Sequence, residues 1–280
     1  MTPGNFHPAA RLTLETNRRV PALTIKSKRT GYRFALHALS LLGSSIACQT
    51  GWTQQNLFNV PSGVVTRKNE VFFQEQLNLA RFGESNTTLE YGLGNDWEVG
   101  LNIFRVNLYP GNLKPLLGES NEDAILLNIQ KSFRPFEKVE VEIGTQNGMS
   151  ANNGAQMVEY LNFTFGVTRW TPDENLFAGT LISGLYCGNT NYLGAGNQIG
   201  WMAGVEYPLW RDDLSFVADY ISGTNSASVA VIGGQWTFSK KQGWQVSLGA
   251  QIPSPHSENF YGAVFELTKF PPVLAKAAKD

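Results

Sequence analysis

The strongest constraint on the fold is a period of two that repeats along most of the chain. Residues 87–103 read TTLEYGLGNDWEVGLNI, two runs of alternating apolar and polar or small residues around the short turn Gly94-Asn95-Asp96. This pattern predicts a β-hairpin, because successive side chains of a strand point to opposite faces. The apolar face of such a hairpin contacts either a protein core or lipid, and alternation alone does not distinguish the two.

The pattern recurs from residue 70 onward, and it predicts twelve strands. Most of them are about ten to thirteen residues long. Strands of soluble proteins are mostly about five or six residues long, whereas a tilted strand that crosses a membrane needs about 9–11. The length therefore favours a membrane. The predicted strands are 70–80, 86–93, 97–108, 122–133, 138–147, 156–169, 176–187, 197–207, 213–222, 227–238, 243–252 and 259–269.

The connections between the predicted strands alternate in character. Every second connection is short and mostly charged, as in GND, RPFE, TPDEN, PLWRDD and SKKQG. The intervening ones are generally longer and rich in Asn, Gly and Ser, as in YPGNLKPLLGESN, GMSANNG, GNTNYLGAGN and PSPHSEN. Outer-membrane barrels have short periplasmic turns and longer external loops. An even number of strands then places both ends of the chain in the periplasm.

Four tryptophans lie in or beside the short turns: Trp97, Trp170, Trp210 and Trp244. Aromatic rings collect where hydrocarbon meets headgroups, because the ring is apolar and its N–H or O–H group prefers water. These four residues are predicted to form a periplasmic aromatic girdle. A soluble sandwich or lipocalin-like barrel, the alternative architecture, has no reason to gather tryptophan at one set of strand ends.

Composition agrees with a membrane barrel and excludes one class of function. Charged residues make up 16% of the chain, below the roughly 25% typical of soluble domains. The formal net charge is −1, so no basic surface for nucleic acid is expected. We predict an all-β fold, a closed antiparallel transmembrane β-barrel of about 12 strands over residues 70–270, connected as an up-and-down meander.

The start of the chain resembles an export signal. Lys26, Lys28, Arg29 and Arg33 precede the apolar run FALHALSLLGSSIA, which ends at the small-residue site Ser45-Ile46-Ala47. We predict a leader and signal peptide over 1–48, a periplasmic N-terminal segment over 49–69 and a C-terminal tail over 271–280. Cleavage of the signal and insertion by the barrel assembly machinery would place the protein in the bacterial outer membrane. A buried amphipathic helix and lipidation of Cys48 are the alternatives for this region.

The hairpin 87–103 resembles the EyG-L-t-d-w-E-v-G hairpin of the outer-membrane channel family named for the meta-pathway of phenol degradation. The hairpin count and length over about 70–270 are similar to that family as well. The resemblance implies an outer-membrane channel, with hydrophobic or aromatic compounds among the candidate solutes. The chain departs from the usual barrel end, because it continues past Phe270 through PPVLAKAAKD.

The face opposite the apolar one is rich in acids and amides. Uncompensated acids in a dry interior are costly, so we predict a narrow, water-filled lumen through which small solutes diffuse. If the lumen is instead plugged, segment 49–69 is the expected plug, with Arg67 and Lys68 reaching the acids. Glu75 does not fit this assignment of inward and outward faces, because it alternates in step with the residues predicted to face lipid. The predicted lumen-lining residues are Glu90, Glu98, Asn102, Glu140, Glu142, Glu206, Asp219 and Glu266; Gln74, Gln76, Asn78, Asn128, Gln130, Gln146, Asn162, Thr164, Gln245, Ser247 and Gln251 share their phase.

Catalytic chemistry has little support in the sequence. His256 is the one histidine expected in the mature chain, and Ser254 and Ser257 flank it, but adjacency in sequence is not the geometry of a triad. No metal ligand spacing and no cofactor motif is present. The prediction is therefore a channel that is not an enzyme, needs no cofactor and no metal, and contacts outer-membrane lipid. The alternatives are a structural or adhesive barrel with a plugged lumen, and a lipid hydrolase that uses His256 at the barrel rim.

Overall fold

The structure, a computed structural model, describes residues 56–81, 83–108, 123–151, 158–173, 176–210 and 213–271. These residues form twelve strands and one short helix. The elements are β1 (Val71–Leu79), β2 (Gly83–Gly94), β3 (Trp97–Asn107), β4 (Ala124–Phe136), β5 (Val139–Ala151), β6 (Val158–Trp170), β7 (Thr180–Gly188), α1 (Thr190–Leu193), β8 (Ile199–Trp210), β9 (Leu214–Ile221), β10 (Val229–Ser239), β11 (Trp244–Pro253) and β12 (Gly262–Lys269).

The strands close into one antiparallel barrel. Each strand pairs with its neighbours in sequence, and β1 pairs with β12 to complete the ring. In that closing pair Gln76 lies opposite Glu266 and Asn78 opposite Val264. The predicted closed, twelve-stranded up-and-down barrel is thus confirmed. The observed strand ends differ from the predicted ones by up to four residues.

The outer wall of the barrel is apolar over most of its circumference. Leu127 is 66% exposed and Leu248 is 61% exposed on opposite sides of the barrel. Water-facing strands carry polar side chains at such positions, so this wall is the surface of a transmembrane barrel. None of the described helices is long and apolar enough to span a membrane. Further outward apolar side chains are Val99, Leu101, Ile103, Ile125, Ile129, Ile143, Leu185, Ile232 and Ile252.

One rim of the barrel, here called the turn rim, carries the connections between β2 and β3, β4 and β5, β6 and β7, β8 and β9, and β10 and β11. Trp97 and Trp170 lie at this rim, both about two-fifths exposed, and Trp244 is half-buried at the start of β11. Trp210 ends β8 opposite Leu214, at the same rim. The Lys131 ammonium lies 5.4 Å from the centre of the Trp97 ring. The opposite rim, here called the loop rim, carries the other connections.

The side-chain phase of β6 differs from the prediction. Asn162 and Thr164, predicted to face inward, pair with Asn147 and Thr145 on the outer wall. Their neighbours point inward instead and join the buried core: Leu161, Phe163, Phe165 and Val167. Arg169, predicted to face outward, shares the inward phase and lies beside Glu140. The prediction assumed that apolar side chains face lipid, and that assumption fails where the interior itself is apolar.

The interior of the barrel has two chemically different sectors. The polar sector comprises the inner faces of β11, β12 and β1 to β5, where amides, hydroxyls and acids are buried. The apolar sector comprises the inner faces of β6 to β10 and contributes most of the buried core. Each sector has exceptions, of which Asp219 on β9 is the most consequential.

Candidate functional site in the barrel lumen

Residues 56–69, here called the hook, lie inside the barrel up to Thr66 and are exposed from Arg67 to Asn69. Leu57, Phe58 and Val60 are at most 1% exposed and belong to the same core cluster as the inner side chains of the apolar sector. The sequence analysis assigned segment 49–69 to the periplasm and named it as the expected plug if the lumen is closed; residues 56–66 of it lie in the lumen. The largely apolar run LFNV within a polar stretch was the one sequence signal that this segment is buried. It has no period of its own and was therefore counted as loop.

The tip of the hook is a tight turn that binds one carboxylate. Asn56 and Pro61 form an antiparallel bridge, and the Leu57 N–H donates to the Val60 carbonyl at 2.9 Å. The backbone N–H groups of Phe58, Asn59 and Val60 then donate to the same Oδ2 atom of Asp219, at 2.9, 2.5 and 3.0 Å. Successive N–H groups directed to one point form an anion-binding nest. Asp219 therefore fixes the hook in the apolar sector.

Two wall glycines make room for the hook side chains. A Cβ atom on Gly204 would lie 2.1 Å from Cδ1 of Leu57, and one on Gly249 would lie 2.8 Å from Cζ of Phe58. Any larger residue would displace these side chains, because interiors are packed near crystal density. The barrel wall is thus shaped to receive the hook.

The base of the hook contacts acids of the polar sector through its backbone. The Thr66 N–H donates to Oε2 of Glu98, and the Gln130 amide donates to Oε1 of the same carboxylate. The Gly63 backbone donates to the Glu142 carboxylate. The prediction expected Arg67 and Lys68 to meet the acids, but backbone N–H groups make these contacts.

The hook joins the barrel at the turn rim. Lys68 forms a parallel bridge with Gly92 of β2, and the Asn69 N–H donates to the Gly92 carbonyl at 2.8 Å. The Gly92 N–H donates in turn to the Glu70 carbonyl at 3.1 Å. Burial raises the pKa of the Glu70 carboxyl, and nearby Arg67 partly offsets this effect.

The structure places the predicted lumen-lining residues on the inner face. Glu90, Glu98, Glu142, Asp219 and Glu266 are at most 5% exposed. Asn102 is also buried there, Glu206 is partly buried opposite Thr180, and Glu140 lies near the turn rim with Arg134 and Arg169. Among the described residues, five carboxylate oxygens are buried without a hydrogen-bond partner: Oε2 of Glu70, Glu90 and Glu142, Oε1 of Glu266, and Oδ1 of Asp219.

Glu90 contacts two amides of β4. Its Oε1 atom accepts hydrogen bonds from Asn128 and Gln130, both at 3.4 Å. Glu90, Glu98 and Gln130 therefore form one network near the base of the hook. The sequence analysis predicted that these acids line a water-filled lumen. In the structure they form a buried network that the hook covers.

The loop-rim side of the lumen is filled by aromatic rings and α1. Tyr192 of α1 stacks on Phe104 at 5.1 Å and on Phe163 at 5.0 Å between ring centres, and Phe163 stacks on Tyr186 at 5.6 Å. Burial raises the pKa of the Tyr192 hydroxyl to about 12. The hydroxyl therefore stays protonated and donates to Gln146 at 3.2 Å.

Arg105 holds α1 against the barrel. It has a positive φ of 61° at an irregularity in the β2–β3 pairing, where its N–H donates to the Asn86 side chain at 2.8 Å. Its guanidinium lies 4.6 Å from the centre of the Phe104 ring and donates to the Tyr192 carbonyl. The sequence analysis missed Arg105 and Tyr192, because a bulge and an inward-folded loop leave no periodic signal.

The arrangement around His256 does not favour catalysis. The Ser254 hydroxyl donates to the Ile221 carbonyl at 3.3 Å, and the Ser257 hydroxyl donates to the Ser254 carbonyl at 2.8 Å. His256 itself is exposed in the connection between β11 and β12. Nucleophilic catalysis needs a serine hydroxyl that donates to the histidine, and both flanking hydroxyls donate elsewhere. In the described parts of the chain, no group of three or more His, Cys, Asp or Glu residues is arranged to hold a metal ion.

No family model matches the chain, and no curated protein sequence matches it. Among solved structures, a KdgM porin in complex with disordered oligogalacturonate is 7% identical, with 72% of this chain and 99% of that chain covered and a TM-score of 0.48. A second KdgM porin structure has 7% identity and a TM-score of 0.45 over the same shares. Outer membrane phospholipase A from Escherichia coli is 12% identical over 75% of this chain and 94% of that chain, with a TM-score of 0.40.

These scores describe a loose likeness. The barrel assignment follows from the strand pairing of this chain, and membership in the family that residues 87–103 resemble stays a prediction. The leader and signal peptide 1–48, Cys48, and residues 272–280 of the tail 271–280 lie outside the described residues.

Proposed function

We propose that this chain is a bacterial outer-membrane channel for small solutes whose lumen is closed by the hook. The apolar outer wall and the tryptophans of the turn rim support the membrane location. The turn rim would face the periplasm, and lipid and the barrel assembly machinery would be the partners. In this proposal the protein is not an enzyme, and solutes pass by diffusion without a cofactor.

One observation carries the proposal: the barrel is complete without the hook. All twelve strands pair in a closed ring, and the hook joins this ring through side-chain packing, backbone hydrogen bonds to wall carboxylates and the bridge between Lys68 and Gly92. The hook can therefore leave the lumen without breaking a strand pair. Its departure would expose the acids and amides of the polar sector to water.

The exposed polar sector would favour cations. Glu90, Glu98, Glu142 and Glu266 lie on its inner face, and a low-dielectric wall focuses the field of such acids onto the pore axis. We propose a chemical class of solute. The resemblance of residues 87–103 implies hydrophobic or aromatic compounds, and the acids favour those that carry a positive charge.

Planar-bilayer conductance tests the proposal. Deletion of residues 52–66 is expected to produce cation-selective current in a salt gradient, whereas the full chain gives little or none. A matched variant keeps the length of the hook and replaces Leu57, Phe58 and Val60 by serine; it is expected to conduct as the deletion does. Anion selectivity would contradict the acid lining, and silence of all three proteins would contradict the channel.

A plugged structural or adhesive barrel is the second candidate. It is favoured by the filling of the lumen from both ends, with the hook at the turn rim and α1 at the loop rim. This candidate predicts no current even after deletion of residues 52–66. A rim lipid hydrolase is not favoured, and an unchanged lipid content in vesicles with the full chain and with His256→Ala would exclude it.

A further inference from the structure

The outer wall has two polar regions at mid-height. One is Glu75, which keeps the outward phase of Leu79 and accepts a hydrogen bond from Thr87 at 2.5 Å; the other, on β5 and β6, carries no charge. Thr145 and Thr164 pair across β5 and β6, and each is the midpoint of a strand of 13 residues. Asn147 and Asn162 pair on the same outer face, two residues closer to the loop rim. These four residues, here called the polar patch, therefore lie near the middle of the membrane.

The polar patch is confined to this part of the wall. On the adjacent β3 and β4 the outward pairs at similar heights are apolar, with Val99 opposite Ile129 and Leu101 opposite Leu127. Leu127 in turn lies directly opposite Asn147. Amides that face hydrocarbon are costly unless they have hydrogen-bond partners. The amides of the polar patch therefore need hydrogen-bond partners.

Internal hydrogen bonds satisfy part of the polar patch. The hydroxyls of Thr145 and Thr164 are 2.8 Å apart, the Asn162 amide donates to Oδ1 of Asn147 at 2.8 Å, and the Asn147 amide donates to the Thr145 hydroxyl at 3.0 Å. Each asparagine amide group carries two N–H donors and each carbonyl oxygen has two acceptor positions. The Tyr160 hydroxyl also donates to Oδ1 of Asn147, which therefore accepts two hydrogen bonds. The remaining capacity lies in the Asn162 carbonyl oxygen, which can accept, and in the second N–H of Asn147, which can donate.

We propose that the polar patch is the centre of a contact with a second copy of this chain in the plane of the membrane. The four side chains carry no charge, and an asparagine can donate to and accept from an asparagine. The patch is therefore complementary to itself, which is what a two-fold contact requires. A charged partner would find no opposite charge among these four side chains. Polar side chains associate in this way inside membranes because lipid offers them no hydrogen bonds.

Disulfide cross-linking in the membrane tests the contact. In a background with Cys48→Ser and Cys187→Ser, Asn162→Cys is expected to form covalent dimers on oxidation, because the two-fold axis brings the residue near its own copy. Leu248→Cys is the matched control, outward at mid-height of β11 on the far side of the barrel. It is expected to stay monomeric. Equal cross-linking of both variants, or none at position 162, would overturn the proposal.

A second measurement separates association from folding. Energy transfer between labelled copies in phospholipid vesicles reports dimers, and heat-modifiable migration in gels reports the folded barrel. Asn147→Leu with Asn162→Leu is expected to lower the dimer fraction at least tenfold while the barrel stays folded; Asn162→Leu alone serves if the double variant does not fold. A folded leucine variant that pairs as the original does would overturn the proposal. So would an original chain that is monomeric or pairs with a different protein.

Discussion

The two sectors of the barrel interior contact the hook in different ways. In the apolar sector, Leu57 and Phe58 pack in the buried core. The Asp219 carboxylate there accepts hydrogen bonds from the backbone of the turn that includes Phe58 and Val60. In the polar sector, Glu98 and Glu142 accept hydrogen bonds from the hook backbone. Apolar packing is non-directional, whereas hydrogen bonds fix register. We expect the apolar sector, with its packing and the three hydrogen bonds to Asp219, to supply most of the binding free energy, and the acids of the polar sector to fix the base of the hook.

Asp219→Ala is expected to release the hook most strongly. It leaves three backbone N–H groups without their common acceptor, and each buried unsatisfied donor costs about 1–3 kcal/mol. Bilayer recordings should show frequent opening. Asp219→Asn keeps an acceptor oxygen and is expected to open less often. A closed Asp219→Ala channel would show that the hook stays in place without this carboxylate.

Phe58→Ala tests the apolar side of the comparison. The ring is fully buried, and truncation of a buried Phe typically costs about 3–5 kcal/mol, part of which the hook can recover by rearrangement. Protease cleavage within residues 56–69 should become faster, together with higher conductance. Phe238→Ala, on the outer face of β10, is the control and should change neither. Equal cleavage of the two variants would contradict the packing role.

Gln130→Leu tests the polar side. Gln130 donates to Glu98 and to Glu90, and each buried acceptor left without its donor costs about 1–3 kcal/mol. The barrel should unfold at lower urea concentration in this variant. Ile129→Val changes the neighbouring outward residue and should have little effect. If both variants unfold alike, the polar network contributes no net stability.

Gly249→Ala is expected to have the smallest effect. The new Cβ would lie 2.5 Å from Cγ1 of Val231 and 2.8 Å from Cζ of Phe58, and overpacking of this kind costs about 1–3 kcal/mol, here at the low end because both contacts are with side-chain ends that can shift. Conductance should rise slightly. Gly234→Ala, where the nearest atom is 3.7 Å away, is the matched control. Combining Gly249→Ala with Phe58→Leu should relieve the contact with Phe58 but not the one with Val231, so the two effects would add only in part.

The sequence predicted the barrel well because lipid imposes a regular pattern. Strands such as β3, with Trp97, Val99 and Leu101 outward, repeat apolar residues at every second position, and their length exceeds that of ordinary strands. The predicted inward and outward faces are wrong at β6, where Phe163 and Phe165 point into an apolar interior. Alternation reports two faces, but it does not report which of them meets lipid.

The candidate site was only partly predictable. The acids on the inner face follow from the phase, as Glu98 and Glu142 illustrate. Their partners do not, because backbone N–H groups of residues 58–60, 63 and 66 have no side-chain signature. Arg105 points inward because of an irregularity in strand pairing, and such irregularities depend on long-range contacts that a single sequence does not display.

The turn at the tip of the hook has a consequence for biogenesis. Because Asn56 runs antiparallel to Pro61, residues 56–61 reverse direction inside the lumen. A doubled-back segment of this kind can enter a finished cylinder from one opening, without threading its end through the far side. Translocation across the membrane, ring closure and sealing can therefore proceed as separate events, and a barrel that seals last would let water through during its own assembly.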